Sequence, residues 1–139
     1  KELKEKGESI IIDGYPRSIK QIEGIISFIK ETFSEIIVYY ITVDEEDSIY
    51  RNTNRKVCQL MGHSIVAHPE TLSLTICPVD GSPLKKRDLD DPEVIKIRLE
   101  EFKKRSLPVI DYLKENDILV KEIDGKGSIS EVFSRILNA

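Results

Sequence analysis

The sequence has no tryptophan, one methionine and only two cysteines, Cys58 and Cys77, among 139 residues. Two cysteines permit at most one disulfide, which excludes the bridge-dense scaffold of a small secreted domain and suits a reducing, cytoplasmic setting. No apolar run approaches the ~20 residues that span a bilayer, and no basic-then-apolar leader opens the sequence, so no membrane segment is expected. Neither half carries a dense Lys/Arg run, and the net charge is -4. That removes any general electrostatic reason to expect nucleic acid or a membrane surface as partner. Internal repeats, low-complexity tracts and Pro/Ser-rich linkers are also absent. One domain carrying at most a small insertion is the expectation for this length.

What is present is a β/α alternation. Ser9–Ile12 and Ile36–Val43 are continuous apolar runs rich in β-branched residues, the pattern of parallel strands covered on both faces. Ile118–Ile123 is a third, shorter candidate. Between them Ile22, Ile25, Ile26, Ile29 and Phe33 follow helical spacing, as do Ile95, Leu99 and Phe102. Asp44 supplies a cap and Glu45–Asp47 acidic charge for a helix N-terminus, Pro108 ends or kinks the later helix, and Ser128–Leu137 closes as a terminal helix. Lys1–Lys6 followed by Gly7 reads as the last turns of a helix and its C-terminal glycine. The order predicts an α/β fold with a mainly parallel sheet. Its parts are a core over 1–56 and 90–139 and an insertion over 57–89. The insertion breaks helical periodicity and contains both cysteines, both histidines and several Gly/Pro turns.

In such sheets ligands bind beyond the carboxyl ends of the strands. There the sequence places Asp13-Gly14-Tyr15-Pro16-Arg17, followed four residues later by Gln21. A glycine permits close backbone approach, a proline fixes the turn, and a guanidinium can grip a phosphate bidentately. Asp13 is placed for the water shell of a magnesium ion. The plainer reading is a turn before a helix, with Ser18-x-x-Gln21 as a capping box. Further along, Arg51 and Arg55 share one helix face, Leu84-Lys85-Lys86-Arg87 precedes Arg98-Leu99-Glu100, and Asp124-Gly125 follows the last strand.

Taken in order, these landmarks resemble the adenylate kinase family, in the long-lid form found in bacteria, over essentially the whole chain. The resemblance implies a P-loop-kinase-like core and reversible transfer of a phosphoryl group from Mg-ATP to AMP by a monomer. It implies AMP contacts from Gly14, Tyr15, Pro16, Arg17, Gln21, Arg87 and Arg98. ATP contacts would come from Arg51, Arg55, Ser64, Ile65 and Gly127. Arg55, Arg87, Arg98 and Asp13 would take part at the transferring phosphate, where charge and positioning do most of the catalytic work. Gln21 and the long insertion favour AMP over the substrates of the related UMP/CMP kinases.

By the same resemblance 57–89 is the lid, in which many relatives hold a structural zinc with C-x2-C and C-x2-[CD]. In this sequence Cys77-Pro78-Val79-Asp80 keeps the second half, whereas Cys58-Gln59-Leu60-Met61 has a thioether in place of the second thiolate. Methionine is a poor zinc ligand, so the fourth position falls to His63 or His68, or the lid is held by apolar contacts instead. The family's lid tyrosine is replaced by Ile65. In Arg87-Asp88-Leu89-Asp90-Asp91, Leu89 stands where a first aspartate is expected, so the aspartate facing the arginines is left open.

The phosphate-cradling G-x-x-x-x-G-K-[ST] loop does not occur in the sequence. The resemblance implies that this loop and the first strand lie before Lys1. Residues 1–139 would then transfer phosphate negligibly by themselves and expose apolar surface. Two other classes remain as alternatives: a non-catalytic nucleotide-binding protein and a zinc-ribbon interaction module.

Overall fold

The computed structural model describes residues 9–87 and 90–139. The helix end expected over Lys1–Gly7 and the placement of Asp88 and Leu89 fall outside the described residues. The main sheet pairs β1 (Ile37–Thr42) with β5 (Leu119–Asp124) in parallel, with Val38 opposite Val120 and Ile41 opposite Ile123. Helices α1 (Ile19–Glu23), α2 (Ile26–Thr32) and α3 (Glu45–Asn54) precede a small antiparallel sheet. That sheet consists of β2 (Lys56–Cys58), β3 (Ser64–Ile65) and β4 (Leu84–Lys86), with β2 in the middle. Next come α4 (Pro92–Glu101), a π-helical stretch (Phe102–Ser106) and α5 (Leu107–Glu115), and α6 (Ile129–Leu137) ends the chain.

The core lies on one face of the β1/β5 sheet. Ile22, Ile26, Val109, Leu113 and Ile118 are buried together, with Val38 and Val120 packed against them. The turn from α5 into β5 shows how local chemistry places two of these residues. Asp117 takes the left-handed conformation at φ 58. The Ile118 N–H then reaches Leu113 O at 3.0 Å and the Asp117 N–H reaches Lys114 O at 3.1 Å. This is a Schellman closure with aspartate in the usual glycine position, and its paired apolar residues, Leu113 and Ile118, enter the core.

Pro108 leaves its mark one turn back. It cannot donate and it crowds the carbonyl four residues earlier, and the helix widens into π geometry over Phe102–Ser106 before tightening into α5. The cap expected at Asp44 is present, accepting from the Asp47 N–H at 2.8 Å, and the terminal helix opens on a full capping box of Ser128 with Glu131.

Three expectations change. Ser9–Ile12 forms no strand, and Ile10 to Ile12 are exposed, Ile11 to 98%. A run of this kind needs a neighbouring strand to satisfy its backbone, and none pairs with it among the described residues. The helix expected from Ile22 to Phe33 is broken at Gly24–Ile25 into α1 and α2. Finally, β1 is covered on one face only: Tyr39 and Ile41 are exposed, as is Leu119 on β5.

Candidate functional site

The Asp13–Arg17 turn contains a cis Tyr15–Pro16 peptide and a left-handed Gly14 at φ 75. A Cβ at Gly14 would sit 3.1 Å from Arg17 Nη2, so the glycine leaves room for the guanidinium to fold back over its own loop. Both backbone groups of Arg17 are held. Its N–H donates to Gln21 Oε1 at 2.6 Å, and its carbonyl accepts from Ser106 Oγ at 3.3 Å. The Tyr15 hydroxyl donates to Gln21 O at 3.3 Å. The expected capping box is therefore not formed: Ser18 makes no side-chain cap, and Gln21 reaches past it to Arg17.

Arg51 and Arg55 do not share the helix face expected of them: α3 ends at Asn54, Arg55 follows in extended conformation, and the two take different partners. Arg51 donates to Gly125 O at 2.9 Å and to Gly127 O at 3.3 Å, which joins α3 to the loop after β5. Arg55 forms a bidentate pair with Asp90, at 2.7 and 3.1 Å. The Asp90 side chain is 3% exposed and that of Arg55 is 20% exposed. Among the described residues, the carboxylate facing Arg55 is thus Asp90. Arg87 lies beside it, its carbonyl accepting from the Asp90 N–H at 3.2 Å. The Arg87 and Arg98 side chains are exposed and make no hydrogen bond or ion pair among the described residues, and the same holds for Asp13. Ser64 and Ile65 form β3, opposite Val57 and Lys56.

The small sheet brings a different set of side chains together. One donor atom from each of Cys58, His63, Cys77 and Asp80 lies within 4.8 Å of the others. Cys58 Sγ is 3.5 Å from His63 Nδ1 and 3.1 Å from Asp80 Oδ2. His63 Nδ1 is 3.6 Å from Cys77 Sγ and 3.1 Å from Asp80 Oδ2. A tetrahedral zinc with ordinary bond lengths holds its ligand atoms about 3.3–3.8 Å apart, so this set fits such an ion. Met61 contributes its backbone alone: its N–H and that of His63 donate to Cys58 Sγ at 3.3 and 3.2 Å. Gly62 at φ 72 and Gly81 at φ 71 make the two tight turns that carry His63 and follow Asp80. His68 lies instead 3.7 Å from Glu70.

The electrostatics of this cluster suit an anionic donor set. Asp80 is held far below the ordinary carboxylate range, first by the Ser82 hydroxyl, then by the Ser82 N–H at 2.9 Å. That hydroxyl is buried and has no partner of good geometry, so it leans on the carboxylate without a well-formed bond. Burial and Asp80 push the Cys58 thiol up; the Met61 N–H, the Ser82 hydroxyl and the His63 N–H outweigh them and bring it below its ordinary value.

The parallel two-stranded sheet with its flanking helices makes the chain an α/β protein, consistent with part of a P-loop-kinase-like fold. The adenylate kinase of Staphylococcus epidermidis strain ATCC 35984 is 34% identical to it over 134 residues, 94% of this chain and 61% of that relative. The adenylate kinase of Staphylococcus aureus strain Mu50 is 33% identical over the same coverage. These likenesses, which run over nearly the whole chain, support a member of the adenylate kinase family. The chain spans about 61% of the length of these curated relatives. No protein-family model matches it.

Sequence reasoning left Asp90 undecided and missed Ser106, Lys126 and Arg135. Lys126, between two glycines in the loop after β5, pairs with Asp44 at 2.6 Å, and its position there was the one available signal.

Proposed function

We propose that this protein is an adenylate kinase, transferring the γ-phosphoryl group of ATP reversibly to AMP to give two ADP, with magnesium accompanying the nucleotide. The observation that carries the reading is the joint placement of Arg51 against the 125–127 loop and Arg55 in the grip of Asp90, in a chain of this family. Arg17, Arg87 and Arg98 are the cations for AMP and the transferring phosphate. Arg87 and Arg98 are exposed and uncommitted among the described residues, which leaves both guanidinium groups free to take an anion. Asp90 orients the guanidinium of Arg55 before the ligand binds, which lowers the ordering cost at the moment of reaction.

Gln21 spends its carbonyl oxygen on Arg17, which leaves its amide N–H groups to donate to an acceptor on the AMP base. Asp13 is available to the water shell of the nucleotide's magnesium, which draws charge off the phosphates when bound. The segment 57–89 serves as the lid, with Ser64 and Ile65 on its nucleotide side, and its closure excludes water from the reaction. In this lid Cys58, His63, Cys77 and Asp80 hold zinc, which contributes folding free energy and no chemistry.

The test is steady-state kinetics of the full-length protein and its Arg17→Ala variant. Removal of a charge-assisted phosphate contact raises the KM for AMP about tenfold to a hundredfold, with the KM for ATP little changed. An unchanged KM for AMP removes Arg17 from that phosphate. Preference for UMP or CMP over AMP moves the protein to the related pyrimidine kinases.

A further inference from the structure

The loop after β5 is held by every one of its carbonyls, and alternately. From α6, Arg135 Nη1 donates to Asp124 O at 2.7 Å and to Lys126 O at 2.5 Å. From α3, Arg51 donates to the two between and beyond, Gly125 O at 2.9 Å and Gly127 O at 3.3 Å. The loop is therefore gripped from two helices at once by charge-assisted hydrogen bonds, which are stronger than neutral ones.

The backbone donors are nearly all committed as well. The Gly125 N–H goes to Thr42 O at 2.8 Å, the Lys126 N–H to Asp124 Oδ1 at 2.9 Å and the Ser128 N–H to Glu131 Oε2 at 2.6 Å. Among the described residues, the Gly127 N–H is the one donor of this loop without a partner. Gly127 O, at 3.3 Å, has the longest of the four carbonyl contacts and is the one a ligand displaces most readily. Gly125 has no room for a side chain: a Cβ there would lie 2.7 Å from Val43 Cγ2 and 2.8 Å from Thr42 O.

We propose that Arg135 is a positioning residue for the nucleobase subsite of ATP, holding the loop so that the Gly127 N–H and carbonyl meet one acceptor–donor edge of the base. This rests on the reading of the loop as the ATP side of an adenylate kinase. A cation near a helix C-terminus is favourable for the helix dipole alone. That account does not explain Arg135, because its donors serve carbonyls nine and eleven positions back, in the loop before α6, and not those of its own last turn.

The experiment compares the full-length wild-type protein with its Arg135→Met and Arg135→Lys variants. Methionine removes every donor; an ammonium has three and can replace part of the bridge. Without nucleotide, amide hydrogen exchange at 125–128 is expected to rise on the order of tenfold in Arg135→Met and less in Arg135→Lys, while exchange across Leu119–Ile123 stays the same. In turnover, the KM for ATP is expected to rise about fivefold in Arg135→Met, with kcat and the KM for AMP held. Unchanged exchange in the loop overturns the clamp, and loosening that spreads through β5 reduces Arg135 to a structural role. Raised loop exchange with an unchanged KM for ATP overturns the link to the base. Should wild-type protein show no affinity for ATP, the ATP-side reading falls, and the exchange measurement still judges the clamp separately.

Discussion

The two sheets of this molecule are held by different forces. The β1/β5 sheet rests on Ile22, Ile26, Val109, Leu113 and Ile118, which are buried against one another with hardly a polar atom among them. Around β2, β3 and β4 the buried side chains are Cys58, Ala67, Cys77 and Ser82, while Leu60, Met61, Ile76 and Val79 face solvent. A segment of this size cannot enclose an apolar core of its own. It can assemble two thiols, an imidazole and a carboxylate around one point, where a bound metal ion would do the work that methylene groups do elsewhere.

The largest expected effect breaks the comparison from the small-sheet side. Cys58→Ser, Cys77→Ser and His63→Ala each abolish retention of zinc through dialysis, read as metal content and as the cobalt absorption spectrum. The stabilisation lost with the ion is on the order of 10 kcal/mol for a structural zinc site. Met61→Leu and His68→Ala keep the metal; loss in His68→Ala with retention in His63→Ala would falsify the ligand set. Next in size, Ile22→Ala lowers the unfolding free energy by about 3 kcal/mol through the cavity it leaves in the main core, with metal content unchanged. If that core variant also sheds metal, the two regions are not independent.

Asp90→Ala sharpens the boundary between them. It leaves the half-buried Arg55 without its bidentate partner, and the expected cost is about 2 kcal/mol in chemical denaturation, beyond what an exposed pair contributes.

The smallest effect is in pH. Asp44 is held below its ordinary value, first by its bond with Lys126 and then by the Asp47 N–H, and Lys126 is raised, first by Asp44. A depressed carboxyl stabilises above its unfolded value and loses that contribution as pH falls below about 4; a raised lysine stabilises below its unfolded value and loses it as pH climbs past about 10.5. Both groups are exposed, so thermal melts between these limits should be flat with respect to this pair. Asp44→Asn should narrow the difference at the acid end.

Much of this was legible in the sequence because it depends on near neighbours. Asp44 and Ser128 announce their helices through side chains that reach three residues on, and Pro108 marks the break in its helix. The unread parts depend on distance or on a turn's exact path. Asp90 meets Arg55 across 35 positions, and spacing alone left Leu89 in the way. The candidate ligand His63 sits five residues after Cys58, not three, and only the left-handed Gly62 brings its ring round to the thiols. Ser9–Ile12 reads as a strand by composition, but composition does not supply the neighbour that a strand needs. Arg135 is an ordinary helix-end cation until its partners are seen in the preceding loop.

The Arg55–Asp90 pair joins the residue between α3 and β2 to a residue four positions beyond the end of β4. The stretch between is closed at its neck, as by a drawstring, by this buried fork of two hydrogen bonds and by the pairing of Lys56 with Lys86 at the adjoining ends of β2 and β4. The enclosed stretch is a cassette: its length, its turns and its Cys/His/Asp cluster can change while the neck residues and the parallel sheet beyond them keep their places.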